Sequence, residues 1–364
     1  MILVFNAGSS SVKYELVDLK ADTRPIRGLA ELDGSLTHRV EGRPPYTREG
    51  PFADHAAAFG AALELLKEVR PAAIGHRVVH GGTRFHGPVP VDDAVMAAID
   101  ELAPLAPLHN PVNLAGIRAA ATAFPGVPQV AVFDTAFHQS MPPEAYTYAV
   151  PREAGVRRFG FHGTSCSYAT RRAAEILGRP EPDLIVLHLG NGASATAIRA
   201  GRSIDTSMGA TPAEGLVMGT RSGDVDPYLA AELGADALTR RSGLLGLTGS
   251  ADMREVRRRA ELGDPDALLA RQVYCHRIRK YVGAYYALLG HVDAIVLTGG
   301  VGEHDAGIRA GSLTGLERLG IHLDPRHNAA HRETISDSEV RVLIIPADEE
   351  WEIAHQTATL TGQA

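Results

Sequence analysis

A chain of 364 residues exceeds one ordinary hydrophobic core, so two domains are expected. Hydrophobic content of 45% with 22% charged residues is that of a soluble globular protein, and no apolar run approaches the ~18 residues that span a bilayer. A net charge of −7 argues against a general nucleic-acid footprint, and two cysteines, Cys166 and Cys275, supply neither a disulfide framework nor a cysteine metal site. No charged segment leading into a cleavable apolar run opens the sequence, so a cytoplasmic protein is expected.

The opening LVFNAGSSSVKYELVD places a glycine, three serines and a lysine between two apolar runs, which reads as two strands joined by a polar turn. Asp54 to Val69 has alanine and leucine at helical spacing, and AAIGHRVVHGG reads as a strand ending in a glycine turn. Residues 91 to 103 are helical, PLAPLHNPVN is a proline-punctuated loop, and Pro111 opens a helix that closes before Pro125. QVAVFDTAF is a buried strand ending at Asp134. From Pro182 a second region begins: DLIVLHLGNGASATAIRAGRSIDTS gives strand, glycine turn, strand, tight turn and strand. It echoes the opening, which suggests a duplicated fold with one phosphate hairpin in each half. Helices dominate from Asp226 to Leu289, DAIVLTGGVGEHD is a strand entering a glycine loop, and the chain closes as a strand, an acidic turn and a helix.

The opening hairpin is not a Walker loop, because GxxxxGK[ST] is absent and Lys13 leads into a strand. A hairpin can still bind phosphate: N–H groups converge at its turn, serine hydroxyls add rotatable donors, and Lys13 adds a point charge. Asn6, just before the turn, offers a carbonyl oxygen to Mg²⁺ or to a metal-bound water. A Gly-Ser hairpin without a ligand is the plain alternative. Asp134 at a strand end suits an active residue of an α/β protein or an ordinary loop carboxylate. Arg77 has a fork able to hold a carboxylate or a phosphoryl group. The flanking His76 and His80 sit on a strand, where i and i+4 lie too far apart to chelate one ion.

FNAGSSSVK, GHRVVHGG, PLHNP, VFDTAFH, RRFGFHGTS, LHLGNGAS, MGTRSGDVDP, GGVGE and DEEW occur in this order. Together they resemble the acetate kinase family of the actin/sugar-kinase/Hsp70 superfamily, from Ile2 to about Thr359. The resemblance implies an α/β, two-domain actin-like ATPase fold, a duplicated ribonuclease H-like unit with a cleft between lobes. The N-terminal lobe would span residues 1–136 and 350–364, and the C-terminal lobe 137–349, the latter binding nucleotide and forming a homodimer. It implies ATP/ADP as co-substrate and Mg²⁺ as the ion, with Mn²⁺ as the alternative. Asn6 and Glu349 would lie near the metal, and Lys13, Ser9 and Ser11 on nucleotide phosphate. His188, Leu189, Gly190, Asn191 and Gly192 would form the second phosphate loop. Asp252, Met253, Arg254, Gly300, Val301, Gly302, Glu303 and His304 would form the adenosine side.

By the same resemblance Arg77, Asp134, His162 and Arg221 are the catalytic set, and Arg77, Val79, Leu108, Phe161 and Pro212 hold the acyl group. His109 would be a supporting residue. The expected reaction is in-line phosphoryl transfer from ATP to acetate, giving acetyl phosphate and ADP, with lobe closure excluding water. Acetate titrates near ~4, so it arrives ionised, and Asp134 is needed for orientation more than as a base. Rival readings are a propionate or other short-chain acyl kinase, a pyrophosphate-using variant, and an actin- or Hsp70-like ATPase acting through partners. Cys166 and His304 stand where the family usually has His and Asn, and ADEEW replaces the common TNEEL. The chain is also shorter than typical members between Asp134 and His162 and between Arg221 and Asp252.

Overall fold

A computed structural model describes residues 1–8 and 10–363; the expectation for Ser9 lies outside the described residues. The chain divides into two compact units, Met1–Phe137 with Asp348–Ala364, and His138–Ala347.

The first unit is built on one sheet of eight strands: β1 (Ile2–Ala7), β2 (Ser11–Asp18), β3 (Thr23–Glu31), β4 (Ser35–Val40), β5 (Tyr46–Glu49), β6 (Ala73–Val78), β7 (Val89–Pro90) and β8 (Gln129–Phe133). Their order is β5-β4-β3-β2-β1-β6-β8-β7. Strands β1 to β5 form an antiparallel meander, whereas β1, β6 and β8 run parallel. Helices α1 (His55–Leu65), α2 (Asp93–Glu101) and α3 (Asn110–Ala123) intervene, and a C-terminal helix (Glu349–Thr361) completes the unit.

The parallel strands are apolar on both faces, as a sheet covered on both sides requires. Leu3, Phe5, Val12, Tyr14 and Ile74 pack with Phe59 and Ala120 of α1 and α3. Ile2, Val4, Val17, Ala73, Val130 and Val132 pack with Ile353, Ala354 and Ala358 of the C-terminal helix. Gly75 permits that second contact, because a β-carbon there would lie 2.5 Å from Thr357 Oγ1 and 2.7 Å from Ile353 Cγ2. Strand alternation then places Asn6, Lys13, Arg77 and Asp134 on the same face as the C-terminal helix. Each lies an even number of residues from a member of that second cluster.

The second unit has five strands, β9 (Leu184–Leu189), β10 (Ala193–Arg199), β11 (Arg202–Thr206), β12 (Ala294–Thr298) and β13 (Arg341–Ile344), ordered β11-β10-β9-β12-β13. An antiparallel meander, β9-β10-β11, is extended by two parallel strands. This is the pattern of β3-β2-β1-β6-β8 repeated. Helices Gly163–Leu177 and Pro265–Leu289 contribute contacts to its strands.

Two local expectations are corrected. GGVGEH is a short helix, Gly299–His304, and not an open loop. Gly299 adopts φ +77°, and a β-carbon there would lie within 2.9 Å of the Leu189 backbone, so glycine permits the close turn that starts the helix. Residues 23–49 carry three further strands that the polar, weakly alternating sequence did not reveal; β5 is exposed along its whole length.

Candidate active site

In the first unit, Arg77 near the end of β6 donates from Nε (2.9 Å) and Nη2 (2.5 Å) to Asp134 Oδ2. Its Nη1 donates to Asn6 Oδ1 at 3.3 Å. Asn6 Nδ2 in turn donates to Glu349 Oε2 (3.2 Å) and Glu350 Oε1 (2.8 Å), in the first turn of the C-terminal helix. Lys13 on β2 pairs with Glu350 at 2.6 Å and with Glu15 at 3.4 Å. Acidic residues in that first turn complement the helix dipole, and Asp348 caps it by accepting from the Trp351 N–H.

Burial, with the negative charges of Asp134 and Glu350 nearby, pushes the Glu349 carboxyl up to about 7, although Arg77 opposes this. Burial of the Arg77 guanidinium is outweighed by Asp134 and Glu349, so it stays charged. The acidic oxygens outnumber the cations they face, and they are hard donors suited to Mg²⁺. Among the described residues, no group of three His, Cys, Asp or Glu side chains is placed to hold one ion.

His76 lies inside β6, bonded through Nε2 to Gln129 Oε1 at 2.6 Å, and His80 lies beyond the strand end. Val79 is buried, whereas Leu108 is 60% exposed. Ser11 begins β2, its carbonyl accepting from the Gly8 N–H at 2.9 Å. His109 is the residue before α3.

In the second unit, His162 precedes the helix Gly163–Leu177 with φ 59°, a left-handed conformation that costs a non-glycine residue of order 1 kcal/mol. Its Nδ1 is 3.0 Å from Ser194 Oγ, and its ring stacks on His188 at 4.1 Å between centroids. His188 Nδ1 is 2.8 Å from Ser165 Oγ. The hairpin turn Gly190–Gly192 closes with Gly190 N–H donating to the Gly192 carbonyl at 3.0 Å. A β-carbon at Gly192 would lie 3.3 Å from His162 Nε2 and 3.4 Å from Arg221 Nη1, so both side chains approach this turn. Arg221 Nη1 donates to the Pro212 carbonyl (2.9 Å) and to Met218 Sδ (3.5 Å), and among the described residues it forms no ion pair. Burial alone lowers its pKa. Phe161 is buried and Pro212 partly so.

A cavity of about 580 Å³ in this unit brings together Gly190, Asn191, Asp252, Met253, Arg254, Gly300, Val301 and His304. Leu189, His188, Gly192, Gly302 and Glu303 are not among its lining residues. Glu303 Oε1 accepts from the Ala347 N–H at 3.0 Å, and Leu189 and Gly302 are buried behind the turn. Asp252 caps the helix Met253–Glu261 and holds Arg254 through its guanidinium.

Sequence reasoning missed Tyr274, Arg257 and Asp305, which also line the cavity. Tyr274 sits inside the long helix Pro265–Leu289 and carries no local signal, whereas Asp305 adjoins the GGVGEH motif. It also missed Glu350, the direct partner of Lys13 and Asn6, although DEEW shows two adjacent acids.

The sequence matches the Acetokinase family over residues 1–355. It is 53% identical to an acetate kinase of Clavibacter sepedonicus, over 100% of this chain and 99% of that protein. Among solved structures it resembles the acetate kinase of Porphyromonas gingivalis, with 42% identity, TM-score 0.92 and 99% of each chain covered. It resembles equally the propionate kinase of Francisella tularensis, with 40% identity, TM-score 0.93, and 98% and 99% covered. These are two-domain proteins of the actin-like ATPase fold, in keeping with the repeated strand order of the two sheets. The chain therefore belongs to the acetokinase family.

Proposed function

We propose that this acetokinase-family chain catalyses reversible transfer of the ATP γ-phosphoryl group to acetate, giving acetyl phosphate and ADP. The observation that carries the reading is Arg221: a part-buried guanidinium beside His162 and the Gly192 turn, whose partners among the described residues are a carbonyl and a thioether. A cation held without a counter-ion next to converging donors is prepared for an anion whose charge moves during reaction.

Acetate arrives ionised, so no proton has to be removed before attack. Arg77 holds its carboxylate, and Asp134, bonded to Nε and Nη2, fixes the plane of the guanidinium that does so. His162 and Arg221 stabilise the equatorial oxygens of the phosphoryl group in transit. The 580 Å³ cavity takes the adenosine, and Lys13, Ser11 and the Gly190–Gly192 turn take phosphates. Asn6 and Glu349, with Glu350 behind them, would hold Mg²⁺ directly or through water. When bound, the ion neutralises charge on the phosphate oxygens. Val79, Leu108, Phe161 and Pro212 receive the methyl group.

The proposal includes a homodimer and a cytoplasmic setting. Family resemblance supports both. Among the described residues no helix is long and apolar enough to cross a membrane.

A hydroxamate assay with ATP, GTP and pyrophosphate as donors, and acetate, propionate and butyrate as acceptors, tests the reading. The highest kcat/KM is expected for ATP with acetate. A propionate preference would make the chain a propionate kinase, and nucleotide hydrolysis without any acyl phosphate would overturn the reading.

A further inference from the structure

Strands β1 and β6 pair in parallel from Ile2↔Ala73 to Phe5↔His76. Both then continue, β1 to Ala7 along β2 and β6 to Val78 along β8. Carried two residues further, the same register would set the Ala7 carbonyl against the Val79 N–H as the next rung of a parallel ladder. The side-chain amide of Asn113, from the first turns of α3, occupies that rung instead. Its Oδ1 accepts from the Val79 N–H at 3.2 Å, and its Nδ2 donates to the Ala7 carbonyl at 3.0 Å. Asn113 is only 2% exposed, so water cannot readily replace it. Asn110, one turn earlier, binds differently: its amide pairs with the N–H (3.0 Å) and carbonyl (2.9 Å) of His80 and does not bond to β1.

The residues next to the opened rung are Asn6 and Arg77, whose side chains meet on the face that carries the C-terminal helix. We infer that Asn113 is a positioning residue, whose amide spaces the ends of β1 and β6 and so sets the distance between Asn6 and Arg77. A direct rung would draw the strands to the usual separation of about 4.8 Å, and the interposed amide prevents this. Only a group carrying one donor and one acceptor on a short planar stem can serve both strands; aspartate lacks the donor and leucine lacks both. The inference rests on Arg77 holding the acceptor carboxylate, as proposed above.

The test compares Asn113→Leu, Asn113→Asp and Asn110→Ala with the parent enzyme in the hydroxamate assay, alongside thermal unfolding. Both Asn113 variants should lose about 10- to 100-fold in kcat/KM for acetate, with KM for ATP within about twofold. Asn110→Ala should lower the unfolding midpoint and leave KM for acetate unchanged. Asn113→Ser, which cannot overpack the site, carries the same expectation if Asn113→Leu does not fold. Lower unfolding midpoints with an unmoved KM for acetate in the Asn113 variants would overturn the inference. Arg77→Ala, run in parallel, separates the two claims. An unchanged acetate KM there removes the Arg77 role and the inference together. A raised KM there, with normal Asn113 variants, removes the inference alone.

Discussion

In the first unit the cations beside the strand ends face carboxylates; beside the Gly192 turn of the second unit, Arg221 faces none among the described residues. Arg77 meets Asp134 at 2.5 Å, Lys13 meets Glu350 at 2.6 Å and Arg24 meets Asp348 at 2.5 Å. Near the Gly192 turn, by contrast, Arg221 bonds to a carbonyl and a thioether. Five strands of the first sheet, β3-β2-β1-β6-β8, repeat the order of the whole second sheet. Topology thus decides where strand ends converge, and the residues at those ends decide whether the place suits a cation or an anion. The acid-rich end fits a metal and a held acceptor, and the end with unspent positive charge fits a moving phosphoryl group.

That contrast can be broken by removing one member from each end. Arg221→Ala should cost about 10³-fold in kcat, because it removes transition-state stabilisation supplied by an arginine, while the thermal midpoint stays near that of the parent. Turnover close to the parent value would remove the contrast. Asp134→Ala should instead cost up to about 3–5 kcal/mol of stability, since it removes the nearest counter-ion of the part-buried Arg77 and leaves it the more distant Glu349. Denaturant titration measures this, and a cost below about 1 kcal/mol would mean the ion pair is not the anchor described.

Acid should weaken the first unit. Burial holds His76 and His80 at about 4, against an ordinary 6.5. Both stay neutral when folded, so their contribution is complete above pH 6.5 and is lost as pH falls toward 4. At pH 5 each should cost about 2 kcal/mol. His76→Gln should flatten this acid limb in unfolding experiments, and an unchanged profile would count against burial as the cause. The smallest effect is expected at Gly192→Ala. Its β-carbon would crowd His162 and Arg221 by a few tenths of an ångström, lowering kcat several-fold with stability within about 0.5 kcal/mol.

The sequence made the strand ends legible because apolar runs such as ILVF and QVAVF stop at a single polar residue, Asn6 or Asp134. Alternation along the strands also places Arg77 and Lys13 on the same face. The echo between the two hairpins proved to be a repeated strand order. What was hidden depends on distance along the chain. Asn6 and Glu350 are 344 positions apart, and Asn113 reaches Ala7 across 106, and no local pattern encodes such partners. Strands β3 to β5 were missed because their outer residues are charged and exposed, which weakens the alternation a half-buried strand would show. GGVGEH was misread because glycines signal a loop, whereas here Gly299 makes the turn and a single helical turn follows.

The central claim is that Arg221 keeps its charge for the phosphoryl group in transit. Guanidinium rescue of Arg221→Ala tests it most directly, in the hydroxamate assay with ATP and acetate. The account predicts a folded, nearly inactive variant whose kcat rises with added guanidinium while KM for acetate stays unchanged. A folded variant that guanidinium leaves inert, or that turns over normally without it, would contradict the account.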